Sequence, residues 1–193
     1  MSKSIYLVLD MENDLVHEDG PNGKAAYGVQ VRARQVIEKT RAAVDKARAA
    51  GLLIGFVRVG FSPDYRECPP NSPIFSGARK NGIFKLGTWG AEVHPDLGMQ
   101  SGDFDIVKHR VSPFYSTTLE AVLRANDVRR IYCSGISTNA VVQATVRDGH
   151  DRDYEVVVLE DCCCALTAEE HEHAIANLKR FCRLTSSQEV VFE

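Results

Sequence analysis

The chain has 193 residues, 44% of them hydrophobic and 25% charged, and a formal net charge of −3 at pH 7. We expect one globular domain over residues 1–193, because this length allows a substantial core. The small negative charge offers no basic footprint for nucleic acid or an anionic membrane. The apolar run 5–9 is too short for a signal peptide or a membrane span, so we expect a cytoplasmic protein.

The six cysteines of the chain are predicted to be free thiols. Three of them, Cys162, Cys163 and Cys164, are contiguous, and neighbouring cysteines pair poorly because a disulfide demands a specific geometry. None has the C-x-x-C spacing of a zinc site. Free thiols indicate a reducing compartment.

Strand patterns alternate with helical patterns along the chain. The predicted elements are, in chain order, a strand at 4–10, a helix at 29–51, strands at 52–59 and 103–109, a helix at 116–127, a strand at 129–135, a helix at 138–151, a strand at 154–161, a helix at 167–181 and a short strand within 182–191. This order predicts an α/β fold with a parallel sheet between two layers of helices. The long segment 60–102, rich in Pro and Gly, is predicted to be a binding loop or lid.

Chemically useful residues follow three of the predicted strands. Asp10 ends the first strand, Lys108 ends the third, and a turn at Gly135 ends the fourth. Ligands of parallel sheets bind at the carboxyl ends of the strands, so these groups are expected to face one crevice. Asp10 alone fits a turn residue equally well and Lys108 alone a solvated strand end, but together they favour a site.

The segment "SGISTNAVVQATVRDG" (134–149) has the pattern of a strand end, a tight turn and the start of a helix. Such a turn directs backbone N–H groups, and often a nucleophile, at the crevice above the sheet. The candidate nucleophile positions here hold Ala140, Val141 and Val142.

Five motifs in this order resemble the isochorismatase-like hydrolase superfamily, which includes the nicotinamidases and other cysteine amidases. They are "LVLDMENDLV", "KLGTWGAEVHPDL", "FDIVKHRVSPFYSTTLEAVLRA", "SGISTNAVVQATVRDG" and "VVLEDCCCALTAEEH", and the resemblance runs from about Ile5 to Leu184. It implies a three-layer α/β fold with a six-stranded parallel sheet.

The resemblance also implies a site. Amidases of the family use an Asp, a Lys and a Cys, which correspond here to Asp10, Lys108 and Val141, so this chain lacks the nucleophilic Cys. The family pattern places an oxyanion hole at the N–H groups of Ser137 and Val141, with a cis peptide bond between Ile136 and Ser137.

Loss of the cysteine is compatible with hydrolysis. Isochorismatases of the family cleave a vinyl ether without it, and an Asp acts as the acid. That chemistry needs a protonated carboxyl group; burial favours the protonated form, whereas Lys108 opposes it. We therefore expect a hydrolase of a small organic molecule that uses Asp10. A ligand- or partner-binding protein without turnover is the alternative, and a cysteine amidase with a displaced thiol at Cys133 or 162–164 is the third interpretation.

The remaining expectations concern metal, substrate contacts and assembly. Metal-binding nicotinamidases carry an Asp and several His after the second strand, but the matching segment 57–70 contains no His, so we expect no metal and no other cofactor. Trp89 and Phe114 are candidate substrate-binding residues. A core or oligomer contact is the alternative for Trp89, and ordinary packing is the alternative for Phe114. Relatives are commonly dimers or larger, so a homodimer or higher homo-oligomer is expected, with a small-molecule substrate as the other partner.

Overall fold

A computed structural model describes residues 3–193. Six strands form one parallel sheet in the order β3-β2-β1-β4-β5-β6. The strands are β1 (Lys3–Leu9), β2 (Leu53–Val59), β3 (Phe104–Lys108), β4 (Val128–Gly135), β5 (Glu155–Leu159) and β6 (Arg183–Thr185). The predicted six-stranded parallel sheet flanked by helices is confirmed.

Seven α-helices and several shorter turns connect the strands in the described part of the chain. The helices are α1 (Asn13–Val16), α2 (Ala26–Arg34), α3 (Val36–Ala49), α4 (Gly77–Asn81), α5 (Leu119–Ala125), α6 (Gln143–His150) and α7 (Ala168–Leu178). Three 3₁₀ turns lie at Trp89–Ala91, Pro95–Leu97 and Glu160–Cys162, and a π-helical turn at Thr138–Val142 precedes α6. Within residues 3–193, no helix has the length and apolar character that a membrane crossing requires.

The two faces of the sheet carry separate apolar cores. Side chains alternate along β1, so Tyr6 packs with Val44 of α3 on one face, whereas Leu7 packs with Leu123 of α5 and Val146 of α6 on the other. This period-two alternation of a strand buried on both sides produces the three layers.

The helix predicted over 29–51 is two helices. Gln35 separates α2 from α3 in the left-handed conformation, with φ 54° and ψ 45°. Its N–H still donates to the Val31 and Arg32 carbonyls, which ends α2 in the way common for helix C-termini. The apolar spacing is compatible with either arrangement because Val31 and Val36 are both buried.

The sheet order places a crevice between β1 and β4. The chain leaves β1 toward α2 and α3 on one face, and it leaves β4 toward α6 on the other. Such a reversal opens a crevice at the carboxyl ends of the two central strands. The long segment between β2 and β3 bends back over this end, where Phe61 forms a bridge with Lys85.

Candidate active site

Asp10 and Lys108 form a buried ion pair at the carboxyl ends of β1 and β3. The distance from Lys108 Nζ to Asp10 Oδ2 is 2.8 Å, and Nζ also donates to the Arg110 carbonyl at 3.0 Å. Asp10 takes a left-handed conformation with φ 51°, while its N–H donates to the Val57 carbonyl at 2.8 Å. The two side chains, which the sequence places at the ends of the first and third strands, therefore meet across the end of β2.

Two opposing influences act on the Asp10 carboxyl. Burial disfavours its charged form and is the larger influence, whereas the Lys108 ammonium favours it. The net effect raises the pKa of Asp10 from 3.8 to about 6. Asp10 Oδ1 has no hydrogen-bond partner within residues 3–193. A carboxyl group with this pKa is suited to hold or release a proton near neutral pH.

Glu12 places a second carboxyl group beside this pair, which the sequence analysis did not single out. The side chain is fully buried, Oε1 accepts a hydrogen bond from the Val59 N–H at 3.3 Å, and Oε2 finds no partner in the described part of the chain. Burial, followed by the charge of Asp10, holds the pKa of Glu12 well above its ordinary value.

The turn after β4 has the geometry that the resemblance implied at one peptide bond: Ile136–Ser137 is cis. The Thr138 N–H donates to the Cys164 carbonyl at 2.9 Å, and the Ser137 carbonyl accepts from Ala140 and Val142. For the Ser137 N–H, no acceptor is found among residues 3–193. The helix predicted from Thr138 does begin there, although its first turn is π-helical.

A cavity of about 140 Å³ joins the turn to the ion pair. Its wall is mainly apolar, and Val141 forms part of it. The other apolar lining residues are Leu15, Val59, Ile74, Phe75, Ile83, Phe84, Val111, Ile136 and Ala140, and the polar ones are Asp10, Asn22, Tyr27, Lys108 and Ser137. The segment predicted as a lid thus supplies four wall residues.

Tyr27 and Asn22 are lining residues that the sequence analysis missed. Burial raises the pKa of the Tyr27 phenol, and a hydrogen bond to Ser137 acts in the opposite direction. The segment 17–28 lacks strand or helix periodicity that would aim it at the crevice, so only its position after Asp10 could have pointed to it.

Two predicted substrate-binding residues lie elsewhere. Phe114 is buried in the core beneath α6, where its ring stacks on Tyr154 and lies under the Arg152 guanidinium. Trp89 is 50% exposed, and its ring meets His17 edge-on at 4.9 Å. Neither lines the cavity. Phe114 is close to Lys108 in the sequence but does not face the crevice, because the chain turns under the sheet after β3.

The six cysteines are free thiols, and none of them lines the cavity. Four are buried, namely Cys133, Cys162, Cys163 and Cys164, and two are partly exposed, namely Cys68 and Cys182. Burial raises the pKa of Cys162 and Cys164 to about 12, and it raises the pKa of Cys133 and Cys163 as well. Burial therefore disfavours the reactive thiolate at these positions.

The described residues contain no group of three or more His, Cys, Asp and Glu side chains arranged to hold a metal ion.

Comparison with known proteins identifies the family. The Isochorismatase domain family matches residues 4–189. A ureidoacrylate amidohydrolase RutB of Methylorubrum extorquens is 35% identical over 170 residues, which cover 82% of this chain and 68% of that protein. RutB of Klebsiella pneumoniae is 33% identical over 192 residues, or 93% of this chain and 81% of that protein.

A solved structure shares the fold. The isochorismatase family protein from Desulfovibrio vulgaris superposes with a TM-score of 0.85 at 25% identity, covering 97% of this chain and 96% of the other. The α/β fold and the crevice at the strand ends are thus those of an isochorismatase-like hydrolase. The chain belongs to the isochorismatase family, and it is a hydrolase.

Proposed function

We propose that the protein hydrolyses a small organic molecule by acid–base chemistry at Asp10, without a covalent cysteine intermediate. The observation that carries the proposal is the buried Asp10–Lys108 pair at the wall of a cavity. The position that would hold the nucleophile of a cysteine amidase contributes the apolar side chain of Val141 to the same wall.

The protonated Asp10 carboxyl acts as the acid in this scheme. It donates its proton to the substrate while water adds to the carbon atom of the scissile C–O or C–N bond. The oxygen of that water stays on the product, one of its protons leaves with the departing group, and the other returns to the Asp10 carboxylate. When water adds to the carbonyl carbon of an amide, ureido compound or ester, negative charge develops on the carbonyl oxygen, and the N–H groups of Ser137 and Val141 stabilise it because the start of a helix favours an anion there.

The names of the relatives suggest where a substrate search begins. Two relatives are named for the amidohydrolysis of ureidoacrylate, so we propose small amides and ureido compounds as the first class to test. Vinyl ethers and esters are the second class, since acid catalysis by a carboxyl group serves them without a nucleophile.

One observation favours a second candidate function. Val141, which the family resemblance matches to the nucleophile, contributes an apolar side chain to the wall, which also fits a protein that binds a ligand in this cavity without turning it over. Saturable binding with no product from amides, ureido compounds, vinyl ethers or esters would select this alternative.

The test compares Asp10→Asn with thiol modification. Asn keeps the shape of the side chain but has no proton to transfer, so we expect kcat/KM to fall by about a hundredfold or more. Iodoacetamide should leave the native activity unchanged, because no described thiol lines the cavity. Val141→Cys is the matched control, because it places a thiol at the wall, where alkylation should block the cavity.

Two results would contradict the proposal. One is an Asp10→Asn variant that retains the wild-type kcat/KM. The other is loss of native activity on alkylation of Cys133 or of the 162–164 cluster while the protein stays folded, which would identify a displaced cysteine nucleophile.

A further inference from the structure

Two carboxyl groups and one ammonium group lie together at the cavity, where Asp10 and Lys108 form part of the wall and Glu12 is buried beside them. Lys108 is committed to Asp10 at 2.8 Å and to the Arg110 carbonyl. Glu12 is fully buried, and its Oε1 atom accepts a hydrogen bond from the Val59 N–H at 3.3 Å. Its Oε2 atom has no partner within residues 3–193. A negative charge on Glu12 in these surroundings would have no cation paired with it.

We propose that Glu12 is a positioning residue that stays protonated in the folded enzyme, so that Asp10 is the carboxyl group beside Lys108 that exchanges its proton. The inference rests on the proposed function of Asp10. With a neutral Glu12, proton exchange at Asp10 is governed by Lys108 and by burial. An ionised Glu12 would add a negative charge that makes Asp10 retain its proton more strongly.

The other charged group that faces Glu12 does not neutralise it. Arg58 lies close enough for its charge and that of Glu12 to influence each other. Its guanidinium is held by both carboxylate oxygens of Asp105 at 2.8 Å, and it also donates to the Ala91 carbonyl. Asp10 repels a charge on Glu12, and Lys108 is already paired. Protonation is thus the remaining way to remove the charge.

Glu12 also fixes one wall of the cavity. Its Oε1 atom accepts from the N–H at the end of β2, and the side chain of that same residue, Val59, lines the cavity. Glu12 itself does not line the cavity. It therefore acts on the reaction through Asp10, Lys108 and Val59.

The test measures how stability depends on pH in the wild type and in Glu12→Gln. A glutamate of the unfolded chain loses its proton near pH 4.3. If folded Glu12 keeps its proton above that pH, the wild type loses stability as pH rises, and the Gln variant lacks this loss. We expect the ratio of the two unfolding constants to change by about tenfold per pH unit above about pH 5, over the range in which folded Glu12 keeps its proton.

The control is Glu169→Gln, which removes an exposed carboxylate from the first turn of α7. Its unfolding constant relative to the wild type should not vary with pH over the same range. A Glu12→Gln ratio that is equally flat would overturn the proposal, because it would mean that Glu12 is ionised in the folded protein.

The activity of Glu12→Gln provides an independent measurement. The pH midpoint of kcat/KM should stay at its wild-type value, since a neutral side chain replaces a neutral one. A lower midpoint would contradict the proposal.

If Glu12→Gln does not fold, infrared spectra of the wild type at about pH 8 decide the question. A protonated buried carboxyl group gives its own C=O band, and absence of that band would overturn the proposal. The stability experiment needs no substrate. It can therefore contradict the role proposed for Glu12 even if Asp10→Asn abolishes activity, so the two proposals are tested separately.

Discussion

Asp10 combines deep burial with a direct contact to Lys108, and these two influences move its pKa in opposite directions. Burial is the larger one, and the pKa of Asp10 is about 6 in the folded protein, above the ordinary 3.8. A carboxyl group with a raised pKa stays protonated up to that higher pH. An acid role for Asp10 therefore requires that activity be highest below about pH 6.

We accordingly predict that kcat/KM falls as pH rises through about 6, where Asp10 loses its proton. Lys108→Met removes the group that lowers the pKa, so the midpoint should move to higher pH while turnover at the optimum decreases. Lys80→Met, which changes an exposed lysine of α4, is the matched control and should leave the midpoint unchanged. A profile that instead falls as pH decreases through 6 would assign Asp10 the role of a base.

Single residues also show what the sequence could and could not reveal about the site. Asp10 and Lys108 were predictable because each directly follows or ends an apolar strand, and parallel strands end at one edge. Glu12 was missed because a carboxyl group next to a strand is expected to be exposed to solvent unless its burial is known. For Phe114 the sequence left packing and a crevice position open, because sequence distance from Lys108 does not say under which layer the chain passes.

At the scale of elements, the break between α2 and α3 is the clearest local departure from the sequence prediction. Gln35 adopts φ 54°, a conformation that costs a residue with a Cβ atom about 1–2 kcal/mol. Gly avoids that cost, although it loses more conformational entropy on folding. No Gly or Pro marks the break, so apolar periodicity alone extended one helix across it.

We predict that Gln35→Gly raises the free energy of unfolding by about 0.5–1 kcal/mol, measured by chemical denaturation. Gln30→Gly is the matched control, since it lies inside α2 and should destabilise the protein by about 0.5–1 kcal/mol. If both variants were destabilised equally, the left-handed conformation of Gln35 would be contradicted.

The long segment 60–102 was also predictable only in part. The lid segment was predictable as a binding element from its length and its Pro and Gly content, and it does contribute Ile74, Phe75, Ile83 and Phe84 to the cavity wall. Within the segment, Phe61 forms a bridge with Lys85. Such a contact between separate loop segments leaves no periodic pattern in the sequence.

For the whole molecule, the order of the strands follows from rules that the sequence satisfies. Alternating strands and helices predict a parallel sheet, and β1 and β4 become its central neighbours with crossovers on opposite faces. That arrangement, and not any single motif, brings Asp10 and Ser137 to one cavity. We also propose that residues 1–193 act as a single domain.

The remaining prediction for the whole molecule concerns assembly. Trp89 is the one tryptophan of the sequence, and half of its surface is exposed. Its backbone is held by Asn13 Nδ2, which donates to the Trp89 carbonyl at 2.8 Å, so the indole is presented from a fixed turn. A rigid exposed indole is the kind of side chain that contributes strongly to protein interfaces. We propose a symmetric homo-oligomer in which a second copy covers Trp89.

Light scattering at micromolar concentration should then give at least twice the 21.4 kDa of one chain. Dilution should shift the tryptophan emission to longer wavelength, because dissociation returns the indole to water. Trp89→Glu should lower the mass toward that of one chain, since it would bury an unpaired charge in the interface. Tyr115→Glu, at another exposed aromatic residue, is the matched control and should keep the assembled mass. A wild-type protein with the mass of one chain would exclude the assembly. Dissociation by Tyr115→Glu but not by Trp89→Glu would show that the interface does not include Trp89.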